Sequence, residues 1–82
     1  MIDEFELRKK IHEYDPSIIL ANTWIDNDKL TGILLLPFRG DDEYIQVQMK
    51  PLTSIPEKID CLNKLVSSKD IEEYQTMRAM KG

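Results

Sequence analysis

The stretch from Ser17 to Lys50 reads as two β-hairpins that share their middle strand, and that strand is apolar on both sides. A half-buried antiparallel strand alternates apolar and polar residues, because one face meets the core and the other meets water. Strand two, Lys29 to about Phe38, breaks that rule with the run Ile33-Leu34-Leu35-Leu36. A chain of 82 residues is sized for a single domain, 1–82. A domain that small withdraws only roughly 60–65% of its unfolded surface from water. One layer of helices can cover one face of such a sheet. The other face must be covered by the chain's own last helix, by a second copy, or by a different protein.

Strand one, Ser17 to Asp26, is rich in Ile, Thr and Trp, the residues that suit a pleated surface. Asn27-Asp28 supplies a two-residue turn, since both tolerate positive φ. That turn sets Asp26 opposite Lys29 and Ile25 opposite Leu30. Arg39 to Glu43 is a polar loop, and strand three, Tyr44 to Lys50, alternates strictly. Cross-strand partners share a face. Unbroken registers therefore assign Ile18, Leu20, Trp24, Ile33, Leu35, Ile45, Val47 and Met49 to the core face. The second face receives Ile19, Ala21, Thr23, Ile25, Leu30, Leu34, Leu36, Phe38, Tyr44, Gln46 and Gln48.

Helices are expected before and after the three strands in sequence. Asp3 and Glu6 have capping-box spacing, Ile2 and Leu7 form a hydrophobic-staple pair, and Leu7, Ile11 and Tyr14 make one apolar stripe. Pro16 stops this first helix, at about 3–14, because the residue before a proline avoids the α region. Ser54 and Glu57 repeat the box, and Ile55, Ile59, Leu62 and Val66 follow at helical spacing, which predicts a second helix on the core face. Ser67 or Ser68 caps a third, whose Ile71, Tyr74, Met77 and Met80 recur every three residues and drift around its axis. The predicted fold is α+β in the order α-β-β-β-α-α: a three-stranded antiparallel meander with helices packed mainly on one face.

Composition narrows the function classes. With 41% apolar and 32% charged residues, the chain has the balance of a folded globule and not of a disordered tail. Its net charge of −4 is the wrong sign for direct nucleic-acid binding, which needs clustered Lys and Arg. Cys61 is the only cysteine, so no intrachain disulfide can form, as suits a reducing cytoplasm. The first residues are acidic and lack the apolar core of a signal peptide. No apolar run is long enough to span a bilayer.

No pattern of catalytic residues stands out, and neither a metal nor a cofactor is implied. His12, the only histidine, has none of the partners that a general base or a metal ligand needs. Cys61 lies one position off the apolar stripe of the second helix, as a semi-buried structural thiol would. Asp26-Asn27-Asp28 with Thr31-Gly32 has the beginnings of a calcium loop, but Leu30 and Pro37 stand where ligands belong. Arg39-Gly40-Asp41 matches an extracellular adhesion tripeptide and reads as a loop coincidence. Asp41, Asp42 and Glu43 form the densest acidic cluster, with Asp15 expected at the same end of the sheet. A solvated loop that discourages edge pairing accounts for them; a basic partner is the sharper reading.

These residues single out a protein-docking surface of Leu34, Leu36, Phe38, Tyr44, Gln46 and Gln48, flanked by Asp41, Asp42 and Glu43. Such a mix of aromatic, aliphatic and amide groups suits an interface core with a hydrogen-bonding rim. The expected function is a non-enzymatic protein-binding module, adaptor or inhibitor, that acts by surface occlusion on another protein or on a second copy of itself. The order α-β-β-β-α-α resembles that of some small phage-encoded anti-CRISPR proteins, which implies an acidic inhibitor that mimics nucleic acid. That resemblance covers element order and no motif. The start α-β-β-β-α also resembles a double-stranded RNA-binding domain, whose basic helix is missing here: Lys58 and Lys64 are offset by Glu57 and Asp60. A subunit of a larger assembly, docking through Met77 and Met80, is a further alternative.

Overall fold

A computed structural model describes residues 3–39 and 42–81. Two helices and three strands follow in the order α1 (Glu4–Tyr14), β1 (Ile19–Asp26), β2 (Lys29–Arg39), β3 (Glu43–Gln48) and α2 (Ser68–Lys81). The strands form one antiparallel meander, β1-β2-β3. Asp3 caps α1 by accepting the Phe5 N–H at 2.9 Å, and the helix buries Leu7 and Ile11. The staple residue Ile2 lies outside the described residues. The first hairpin turns as its sequence requires: Asn27 and Asp28 have φ of 51° and 62°, and Ile25 pairs with Leu30, Asp26 with Lys29.

Two bulges overturn the face assignment. One interrupts the β1–β2 register between Leu20 and Asn22, so that Leu20 pairs with Leu34 and Ile19 with Leu35. The other lies between Pro37 and Arg39 and puts Leu36 opposite Ile45 and Leu34 opposite Val47. Pro37 has no N–H to give to a ladder, and a bulge is where a strand accommodates that. A one-residue slip exchanges the two faces of a strand. Strand β2 is therefore the reverse of the expectation: Leu30, Leu34 and Leu36 enter the core, and Ile33 and Leu35 do not. Trp24, expected inside, is exposed as well. Ile18, Leu20, Val47 and Met49 are buried as their sequence pattern requires.

The second predicted helix is absent. Residues 49–67 form an irregular strap with one 3-10 turn at Leu62–Lys64. The reason is local. Ile55 precedes Pro56 and is steered out of the α region where the helix would begin, and Asp60, Cys61 and Asn63 are weak helix formers. Leu52 is instead tied to β2 by two main-chain bonds with Leu30, at 2.9 and 2.8 Å. Side chains then satisfy strap carbonyls that a helix would have paired with its own amides. Lys10 Nζ donates to Glu57 O, Lys50 Nζ to Asn63 O at 2.6 Å, and Lys64 Nζ to Lys58 O at 2.7 Å. The apolar residues of the supposed stripe still serve the core, with Ile59, Leu65 and Val66 buried and Ile55 and Leu62 packed against them.

Ser67 precedes helix α2 and caps it, its hydroxyl accepting the Asp70 N–H at 3.4 Å. It anchors by its first half, burying Ile71 and Tyr74, while Met77 and Met80 stay exposed. Ile71 and Tyr74 join Leu7, Ile11, Leu34, Leu36, Leu65 and Val66 in a single cluster. All cover is thus on one side of the sheet.

Candidate functional site

The side of the sheet turned away from that cluster carries the candidate surface. Its composition follows from the pairing. One row across the strands is Ile19, Leu35 and Gln46, and the next is Asn22, Ile33 and Gln48. Tyr44 lies beyond the first row, opposite Pro37, and Trp24 beyond the second, opposite Thr31. Ile19 is 42% exposed, Trp24 and Tyr44 36% each, and Ile33 and Leu35 are half-buried between flanking strands. Gln46 and Gln48 stand exposed along the outer strand. The helix and strap residues Leu7, Ile11, Leu65, Val66, Ile71 and Tyr74 all join the cluster on the other side.

Of the residues expected to bind a partner, Tyr44, Gln46 and Gln48 are on this face. Leu34 and Leu36 are fully buried under the helices, and Phe38 packs against the same core. This is a correction: the apolar half of the surface is made by Ile33, Leu35, Ile19 and Trp24 instead. Asp42 and Glu43 are exposed at the β2–β3 turn. Asp41, and with it the Arg39-Gly40-Asp41 tripeptide, lies outside the described residues. Asp15 is occupied locally, accepting the Ser17 N–H at 3.0 Å and its hydroxyl at 2.7 Å.

One buried polar contact shapes the edge of the face. Thr31 is fully buried, and its hydroxyl donates to Met49 O. Met49 N donates to Gly32 O at 2.7 Å, and the next main-chain pair is Leu30 with Leu52, so Lys50 and Pro51 are looped out of the ladder. The Thr31 hydroxyl satisfies a carbonyl at this irregularity, where an unpaired buried acceptor would be costly.

The remaining candidates are not brought together. His12 is exposed, and so is Cys61, which the stripe argument had placed half inside; without the helix there is no stripe for it to border. Among the described residues, no group of three or more His, Cys, Asp or Glu side chains could hold a metal ion. Two groups titrate away from their ordinary values. Burial, reinforced by the charge of Asp15, raises the Tyr14 hydroxyl. A hydrogen bond from Lys64, with its charge, lowers the exposed Asp60 carboxyl, and the Lys64–Asp60 separation is 3.4 Å.

No family model, no curated protein and no solved structure matches this chain. No helix among the described residues is long and apolar enough to cross a membrane.

Proposed function

We propose that this chain is a small non-enzymatic protein-binding module that presses the uncovered face of its sheet against another protein and acts by occluding that partner's surface. The observation that carries the reading is the contrast between the two faces: α1, the strap and α2 all cover one side, and the other presents Ile19, Trp24, Ile33, Leu35 and Tyr44 beside a row of glutamines. Trp and Tyr give large contact area at small entropic cost, and both are enriched where interfaces concentrate their energy. Gln46 and Gln48 supply donors and acceptors at one margin, as an interface rim does.

The acidic-mimic reading draws less support. Without the middle helix the order is α-β-β-β-α, so the element order behind that resemblance no longer applies. The observed order is the one that opens a double-stranded RNA-binding domain, but α2 sets Glu72 and Glu73 among Lys69, Arg78 and Lys81, which is no phosphate-binding stripe.

Site-specific photo-crosslinking in the native cell tests the reading. A benzophenone amino acid at Gln46 should give a discrete protein adduct that Leu35→Lys abolishes, and the same probe at His12, on α1, should give none. An adduct of twice the chain's mass would identify a second copy as the partner. Equal adducts from both positions, or none from Gln46, would overturn the proposal.

A further inference from the structure

The side of the sheet that the helices cover is itself left open at one end. Between the first turn of α1, the β1–β2 hairpin and residues 53–55 lies a cleft of about 940 Å3. Ile25, Leu30 and Ile55 give it an apolar lining, and Asp3, Glu6 and Asp28 contribute carboxylates. Ile25 is 61% exposed, and Phe5, in the same helical turn as Glu6, is 75% exposed.

The lining residues differ in how far they are already engaged. Glu4 accepts the Thr23 hydroxyl at 2.8 Å and faces the Arg8 guanidinium at 3.4 Å. Asp3 serves the helix cap. Glu6 and Asp28 form no ion pair among the described residues. Of the cations close by in sequence, Arg8 is held by Glu4 and by Leu20 O, and Lys29 is paired in register with Asp26.

We infer that this cleft is a second docking site, and that its occupant is a basic amphipathic segment of a partner protein, an extended stretch in which Lys or Arg alternates with aliphatic residues. Charge complementarity selects it. Aliphatic side chains would cover Ile25, Leu30 and Ile55, and the intervening cations would reach Glu6 and Asp28, with long cationic stems adding apolar contact. Nucleic acid and anionic lipid carry the sign that these carboxylates repel. The cleft meets the uncovered face only at Trp24, which lines both; Thr23, Ile25 and Leu30 belong to the opposite side of the sheet from Leu35 and Gln46, so Leu35→Lys tests the two surfaces apart.

The test is amide chemical-shift mapping of the full chain, titrated with an end-blocked octapeptide alternating arginine and leucine. Saturable shifts should centre on Thr23, Ile25, Leu30 and residues 53–55. Octapeptides alternating arginine with glycine, or glutamate with leucine, should bind at least about tenfold more weakly. The double variant Glu6→Gln with Asp28→Asn should lose about fivefold in affinity at low salt, since two exposed ion pairs are at stake, while staying folded with a small drop in Tm from the lost first-turn charge of Glu6. Asparagine tolerates the positive φ at position 28, so the turn survives. Leu35→Lys should leave this binding intact. Shifts centred on Leu35 and Gln46 or on Asp42 and Glu43, equal binding of the arginine–glycine peptide, an unaffected double variant, or no binding would each overturn the inference.

Discussion

The guanidinium of Arg8 donates to the main-chain carbonyl of Leu20, at the edge of the bulge that divides β1 into two registers. A bulge interrupts the ladder, and here a cation from α1 fills the gap. Glu4 steadies that cation and is in turn held by Thr23. Helix α1 and strand β1 are thus joined by polar contacts around the irregularity as well as by Leu7 and Ile11 beneath it.

Arg8→Met keeps the aliphatic stem and removes the donor. Its head is partly exposed, so the loss is moderated by solvent and should be about 1–2 kcal/mol. Urea denaturation should show a lower midpoint with the same slope. An unchanged midpoint would mean that water replaces the contact at no cost.

Gly32 faces β1 beside its bulge, opposite Thr23. A Cβ built there would lie 2.3 Å from Asn22 O, a main-chain atom that cannot swing aside. Gly32→Ala should cost about 2–3 kcal/mol and lower the melting temperature by roughly 10 °C or more for a domain of this size. A melting point within experimental error of the parent would show that the two strands separate easily there.

Neighbouring residues of β2 should respond in opposite ways to the same charge. Leu34→Lys places an ammonium in the core and should unfold the chain, at a cost of about 4–5 kcal/mol or more. Leu35→Lys, on the uncovered face, should change stability by less than about 1 kcal/mol. Circular dichroism of the pair decides between this register and its one-residue alternative.

Tyr74 holds α2 to the sheet through its hydroxyl, which donates to Pro37 O; the Arg78 guanidinium, one turn further along the same helix, lies over its ring at 5.5 Å from the centroid. Tyr74→Phe should cost about 0.5–1.5 kcal/mol, and Tyr74→Ala about 3–5 kcal/mol. Amide exchange should accelerate along α2 in both variants. If the phenylalanine variant matches the parent, the hydroxyl bond contributes nothing net.

The raised Tyr14 hydroxyl gives an alkaline signature. Its value in the folded chain lies above the ordinary 10.0, so the folded state keeps this proton longer than the unfolded state. The resulting stability is fully present below about pH 10 and is lost as pH rises through the folded value. The parent should therefore lose stability relative to Tyr14→Phe as pH rises above about 10. A gap independent of pH would show that the hydroxyl ionises as freely in the fold as in the open chain.

Several elements were legible in the residues alone, and for physical reasons. Asp3 and the Leu7, Ile11, Tyr14 stripe specify α1, Asn27-Asp28 specifies its turn, and strict alternation sends Val47 and Met49 inward. What escaped the sequence was parity. With Ile33 to Leu36 apolar throughout, hydrophobicity cannot say which side of β2 faces in, and two bulges with no strong local signature decide it. Pro37 was the available clue to one of them. The strap misled for the opposite reason: Ile55, Ile59, Leu62 and Val66 have helical spacing, yet Ile55-Pro56 forbids the start, and the same side chains reach the core from an irregular path. Tyr44, Gln46 and Gln48 were placed on the uncovered face because β3 alternates without ambiguity. Their apolar neighbours were misassigned because β2 does not.

The way the interior is assembled bears on how the molecule comes into being. Leu7 and Ile11, which precede the sheet in sequence, end in one cluster with Ile71 and Tyr74, which follow it. The intervening strap forms no long helix of its own that could wait as a preformed intermediate. The interior is therefore closed only when segments from before and after the sheet have met.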